Sequence, residues 1–434
     1  MSEVNKLFTF HFPFFTKLFR LCALFSFFIS AFSVSAEVND TINHWGGQVM
    51  VNPCIVPTMD PQIKELVKKN GALTLSAQLR HVSMPADKDI YAQEFGFPTF
   101  YLGLNYNFYN HIKLYRDADG DIGMGKPADY QSSLGNSLSI YAGFERAFFR
   151  NPKWEADYAF NIGLGVTDRK YDKDKQVDNL MISSNVQIYF GAAFHATYRF
   201  AKDWGLKGGI EFNHHSSGTL KRPNKGTNTF GPTIGIVYYP YYDELLKKEQ
   251  YRQNIPFDKS KYWNVSANVG LCTIYEDWVQ TQFKTPMDDP LFRTNDYKKY
   301  VVYTISADYM SRYARRWASG AGIDIYYLSY MNHVRDLDRL NGYHKHHSPI
   351  SVGISGKHDV FYHNLSLSMS LGVYVFRQSG HKAKEVEQPF YETIGVKYHF
   401  PKLNGLALGA YVRAHALKAD HTGLSVSYPI YINK

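Results

Sequence analysis

The stretch Glu211-Phe-Asn-His214-His-Ser216-Ser-Gly218 sets an imidazole and a hydroxyl two residues apart. In an extended strand that spacing turns both to one face, about 6.7 Å apart along the chain. An imidazole leaning along the strand is a general base for the hydroxyl, the pairing that makes serine a nucleophile. Asn228 shares the parity of the next strand, and a loop of about eleven residues returns it beside His214, the place of a group that orients the base. The backbone N–H groups of Ser217 and Gly218 follow directly as candidate donors to an oxyanion. Lys221, Arg222 and Asn224 (with Lys225) fill the loop as candidate substrate-binding residues, the cations being suited to phosphate. The chemistry expected of this set is transfer of an acyl group through Ser216. Shifting the frame by one, to His215 and Ser217, sends both side chains to the opposite face with Glu211.

The elements that must hold these groups read as β-strands. In 186–200 the even positions are Val, Ile, Phe, Ala, Phe, Ala, Tyr and Phe, and the odd ones carry Gln, Gly, His, Thr and Arg. Similar two-residue periods run through 158–166, 100–108, 263–271, 301–309, 365–375 and 406–416, each with one apolar and one mixed face. Segments of this length match tilted strands crossing a bilayer, and the polar face suits a solvated lumen. Tyr and Trp gather at segment ends (Trp204, Tyr238, Tyr239, Tyr241, Tyr242, Tyr326, Tyr327), where an interfacial girdle lies. Short connections at 151–153, 201–203 and 401–404 fall on one side, and long ones near 109–136, 167–184, 273–298 and 328–349 on the other. Short helices are expected at 60–70, where Asp60 and Pro61 form a cap, and at 243–249 in the exceptional long connection 240–261. The expectation is an all-β fold: one transmembrane antiparallel β-barrel of the outer-membrane type, about 14–16 strands over 37–434. The even strand face of 204–212 is its lipid face, so His214 and Ser216 continue that face at the outer rim.

Composition agrees. Of 434 residues 16% are aromatic, with 34 Tyr and 30 Phe, which excludes collagenous, coiled-coil and disordered chains, and mean hydropathy of −0.35 opposes a helical membrane bundle. Residues 1–36 have the pattern of a secretory signal peptide: Lys6, Lys17 and Arg20, then an apolar run from Leu21 to Phe32, then Val34-Ser-Ala36. Its removal, with Glu3, lowers the net charge from +9 to +7. Only Cys54 and Cys272 then remain, too few for a disulfide framework. No nucleic-acid motif accompanies the basic residues, which suit phosphorylated lipid instead.

With these residues in place, His214-x-Ser216 followed by Leu220-Lys221-x-Pro223-Asn224-x-Gly226 resembles the lipid A 3-O-deacylases of the PagL type, the acyloxyacyl hydrolases, in a long form. The close match covers about 20 residues, within a deacylase-like region 98–240. The resemblance implies an outer-membrane esterase removing an ester-linked acyl chain from lipid A in lipopolysaccharide or a related lipid. It makes His214 the base and Ser216 the nucleophile on the barrel exterior, with no cofactor. Asn228 stands where the family has an acid, and Ser217 where it has an asparagine tied to oxyanion stabilisation. Loss of the acid from a serine triad can lower the rate about 10⁴-fold. The rival expectations are a non-catalytic barrel, a pore or structural protein with a decayed triad, and a soluble periplasmic lipid-binding protein. The ester cut, conductance and self-association stay open in the sequence.

Other signals carry less. Asp117-Ala-Asp119-Gly-Asp121 begins like a calcium loop but has Ile122 where glycine is required. His344, His346 and His347 could ligate a metal, but they share an expected outer loop, where exposed histidines are ordinary. No metal is expected.

Overall fold

The structure, a computed structural model, describes residues 43–433 apart from 59, 117–130 and 386. The expected signal segment and Asp117–Asp121 lie outside the described residues. Sixteen long strands form the wall: β1 Trp45–Cys54, β2 Ala72–Val82, β3 Thr99–Phe108, β4 Ser137–Arg150, β5 Trp154–Thr167, β6 Val186–Ala201, β7 Trp204–Ser216, β8 Thr227–Tyr238, β9 Ser260–Cys272, β10 Tyr300–Arg312, β11 Trp317–Leu328, β12 His347–Tyr362, β13 Leu365–Ser379, β14 Phe390–Phe400, β15 Leu406–His415 and β16 Lys418–Asn433. Among the described residues, no helix is long and apolar enough to cross a membrane.

These strands close not into one barrel but into two, β1–β8 and β9–β16, each antiparallel and eight-stranded. That corrects the single barrel expected over 37–434. The seam of the first is β1, paired on one side with β2 and on the other with β8 (Gly47 opposite Tyr238). With both edges of β1 satisfied, nothing is left for β9 to join, and β9 pairs with β16 instead. Eight strands enclose just enough space for side chains to fill. In the first barrel the filling is charged: Lys207 Nζ lies 2.6 Å from Glu145 Oε2 and 3.0 Å from Asp157 Oδ2, Arg80 grips Glu145, and His195 Nδ1 is 2.9 Å from Asp157. Tyr101, Tyr141 and Tyr189 form a buried cluster in the same barrel, packed edge to face and tilted. This lumen is packed rather than open, which opposes a pore through the first barrel.

The connections follow the expected rhythm with two exceptions. Turns 151–153, 202–203, 313–316, 363–364 and 401–405 share the inner end, but so does the long connection 83–98, with its helix Ile90–Phe95; and the two-residue turn Ala416–Leu417 lies at the outer end. Asp60 caps the helix Pro61–Leu66, accepting from Gln62 N and Ile63 N. The 240–261 connection contains the helix Tyr242–Leu246 and links the barrels, packing Tyr239, Tyr241 and Tyr242 under the first. Paired rings ring the inner end: Trp154 with Tyr198, Trp204 with Tyr238, Trp263 with Tyr309.

The barrels touch at both ends. At the inner end Arg315 pairs with Glu94 at 3.1 Å and His363 with Asp89 at 2.8 Å. At the outer end Thr273 N and Thr273 Oγ1 donate to Thr219 O at 2.7 and 3.0 Å, and Thr219 Oγ1 donates to Leu271 O at 2.8 Å.

Candidate active site

Parity along β7 sorts its side chains. Leu206 and Ile210 are 45% and 46% exposed on the barrel exterior, whereas Lys207 and Asn213 are buried inside. His214 and Ser216 continue the exterior set, and His215, Ser217 and Glu211 the buried one. His215 lies in the lumen, its Nε2 3.1 Å from Ser139 Oγ, so the shifted frame is an interior one.

Register brings the third member in. His214 lies opposite Asn228 of β8 and opposite Phe190 of β6, while Ser216 lies opposite Ile188. His214 Nδ1 donates to Asn228 Oδ1 at 2.7 Å. With Oδ1 as acceptor the proton sits on Nδ1, leaving the Nε2 lone pair to receive a hydroxyl proton. Among the described residues no hydrogen bond joins His214 to Ser216; Ser216 Oγ instead accepts a long one from Gly218 N at 3.4 Å. His214 and Ser216 thus share a face and a strand.

Asn224 is not a free substrate-binding side chain. Its Oδ1 accepts from Ser217 N at 2.8 Å and its Nδ2 donates to Gly218 O, a two-handed bracket across the turn after the candidate nucleophile. The Ser217 N–H, expected as an oxyanion donor, is therefore already committed, and its hydroxyl accepts from Ser183 N at 3.1 Å. Gly218 remains: with φ +63 it turns its N–H toward Ser216 Oγ. Arg222 is engaged across the barrels: its Nε donates to Thr273 O at 3.1 Å and its guanidinium lies over Tyr275, so it reaches the mouth of the second barrel. Lys221 is half-buried and makes none of these contacts. Lys225 pairs with Asp60 at 3.0 Å; burial alone would raise the Asp60 carboxyl, but this ammonium and the Gln62 and Ile63 N–H groups hold it below its ordinary value.

One residue of the site carries no role in the sequence reading. Gly226, at φ +73, roofs the imidazole: a Cβ there would lie 2.7 Å from His214 Cε1 and 3.3 Å from Nδ1. Its N–H donates to Met181 O at 3.0 Å, fixing the return loop against the 168–185 loop. The signal was its place in the His-x-Ser loop, where only glycine combines left-handed backbone with close approach. Gly226→Ala should tilt the imidazole and lower turnover about 10- to 100-fold with little change in folding, measurable as kcat beside a thermal melt; unchanged kcat would mean the roof is idle.

Outside this rim, two groups bring carboxylate and imidazole atoms within 4.8 Å of one another: Glu145, Asp157 and His195 inside the first barrel, and Glu387, His415 and Asp420 in the second. Lys207 and Arg80 neutralise the first, and Lys382 and Arg377 share Glu387 in the second. His344 and His346 are exposed, and His347 pairs with Asp338 at 2.9 Å.

Two family models match the chain: "Lipid A 3-O-deacylase (PagL)" over residues 100–237, within the first barrel, and "Acyloxyacyl hydrolase, C-terminal domain" over 263–433, within the second. Among solved structures, the crystal structure of the outer membrane enzyme PagL aligns over 44% of this chain and 97% of its own, at 18% identity and TM-score 0.26. The Pseudomonas putida toluene transporter TodX aligns over 92% of each chain at 9% identity and TM-score 0.16. No curated protein matches.

Proposed function

This chain belongs to the lipid A 3-O-deacylase (PagL) family, and we propose on that footing that it is an outer-membrane esterase that cuts an ester-linked acyl chain from lipid A or a related lipid with Ser216 as nucleophile. The observation that carries the reading is the shared outward face of His214 and Ser216, with Asn228 bonded to the imidazole at 2.7 Å. Two polar side chains at the edge of an apolar outer surface are expensive without a use, and there an acyl chain reaches them without leaving the hydrocarbon.

In the first step Ser216 Oγ attacks the ester carbonyl carbon while His214 Nε2 takes the hydroxyl proton. Collapse of the tetrahedral species breaks the carbon–oxygen bond to the lipid, and His214 returns the proton to the departing alkoxide. Water, deprotonated by His214, then attacks the acyl carbonyl; the bond to Ser216 Oγ breaks, His214 returns the proton to Oγ, and the fatty acid leaves. Asn228 keeps the imidazole in the tautomer the sequence of transfers needs. Gly218 N–H supports the oxyanion, and the Asn224 bracket keeps that N–H in place. Lys221 is the loop cation left for an outer headgroup, and residues 1–36 act as a cleaved export signal.

Lipid A mass spectrometry from cells expressing the wild type should show a species lighter by one acyl chain than in cells lacking the protein. Ser216→Ala at equal membrane abundance should restore the full-length mass. Identical spectra in wild type and variant would end the serine mechanism.

A further inference from the structure

The second barrel holds a feature the deacylation chemistry does not use. Arg413, on β15, is 2% exposed, and among the described residues its Nε and Nη2 find no hydrogen-bond acceptor. Its guanidinium lies 3.8 Å from the Tyr326 ring centroid and 4.7 Å from that of Tyr391, which fix its plane. Asp420 is its nearest carboxylate, at 3.7 Å from Nη1, beyond hydrogen-bond length, and that carboxylate already takes His421 Nδ1 at 3.0 Å. A buried cation with open donors carries a large desolvation penalty unless something anionic completes it.

Arg413 lines a cavity at the outer mouth of the second barrel, below the loops. Arg377, Lys382 and Arg222 line the same cavity, the last delivered from the Ser216 loop of the first barrel. The acids facing it are Glu276, Glu387 and Asp420. Glu387 is shared by Lys382 at 2.8 Å and Arg377 at 3.3 Å. Burial raises the Glu276 carboxyl above its ordinary value, against the pull of Lys382, so it gives up its proton reluctantly. The hydroxyl of Ser351, a residue only 2% exposed, lines the cavity without a partner as well. Four cations and three carboxyl groups line the cavity, and among the described residues two donors of Arg413 stay unfilled.

We propose that this mouth is a binding site for a phosphate group, built by Arg413, Arg377 and Lys382 of the second barrel and completed by Arg222 of the first. Planar guanidinium forks suit phosphate oxygens, and Arg222 makes occupation of the mouth felt by the loop that carries Ser216. The group belongs either to a phosphorylated lipid headgroup at the outer surface or to a free ion.

The test uses the full chain in detergent micelles, with Ser216→Ala as background so that hydrolysis plays no part and the outcome does not depend on the esterase reading. Calorimetric titration with inorganic phosphate should show saturable binding. Arg413→Met, and separately the loop variant Arg222→Gln, should weaken it at least about tenfold. Adding phosphatidic acid to the micelles should displace phosphate, with phosphatidylcholine inert, if the headgroup is the source; undisturbed phosphate binding identifies the free ion. No binding, or binding equal in the Ser216→Ala parent and both variants, would overturn the site. Tight Zn²⁺ binding without phosphate binding would also overturn it, making Glu387, His415 and Asp420 a cation site. Arg222→Gln keeps the test valid if Arg413→Met fails to fold, since Arg222 sits on a loop.

Discussion

His214→Ala should lower the deacylation rate about 10⁴-fold with KM nearly unchanged. The imidazole is held at Nδ1 by Asn228 Oδ1 and under Gly226, and its remaining nitrogen is the base on the Ser216 face. In the proposed mechanism it serves proton transfer and not the grip on the lipid, which puts the loss in kcat. If base and nucleophile act as a unit, His214→Ala/Ser216→Ala should be scarcely slower than either single variant. Steady-state kinetics on a chromogenic ester in mixed micelles separates these quantities. Multiplied losses in the double variant would show that the two side chains work apart.

Asn228→Asp is expected to change activity in the opposite direction, raising kcat by about 10- to 10³-fold. Asparagine accepts the Nδ1–H but brings no charge, whereas the transition state leaves a positive imidazolium beside it. A carboxylate at the same position stabilises that charge, and its absence from serine triads is worth about 10⁴ in rate. Aspartate matches asparagine in shape, and the 2.7 Å contact lies in register between β7 and β8, so the backbone need not move. Asn228→Ala, which removes the acceptor, should slow the enzyme. A variant Asp enzyme no faster than wild type would mean the imidazole is oriented chiefly by its roof.

The strands, their parity and the exterior position of His214, Ser216 and Asn228 are legible in the sequence because a strand alternates with a period of two, whatever sheet it joins. Closure is not. Hairpin neighbours pair identically in a sixteen-stranded barrel and in two of eight; only β1 with β8 and β9 with β16 differ, and those partners lie far apart in sequence. The place of Arg222 is hidden for the same reason. Its charge suits a headgroup layer, and nothing in the chain's order shows the second barrel as the neighbour that receives it. The roles of Asn224 and the Ser217 amide are hidden for another reason. Each bond runs between side chain and backbone inside a turn, where composition records the partners but not which donors are spent.

The clasp at Thr219 has a bearing on how such a protein matures. The carbonyl of that residue accepts from Thr273 N and Oγ1 and its hydroxyl donates to Leu271 O, so the segment just after Ser216 is anchored to a domain synthesised later. A nascent chain whose leading domain has inserted still lacks the partner that sets this segment. The turn after Ser216 therefore takes its final partners from the second barrel, and the candidate site is complete only in the whole chain.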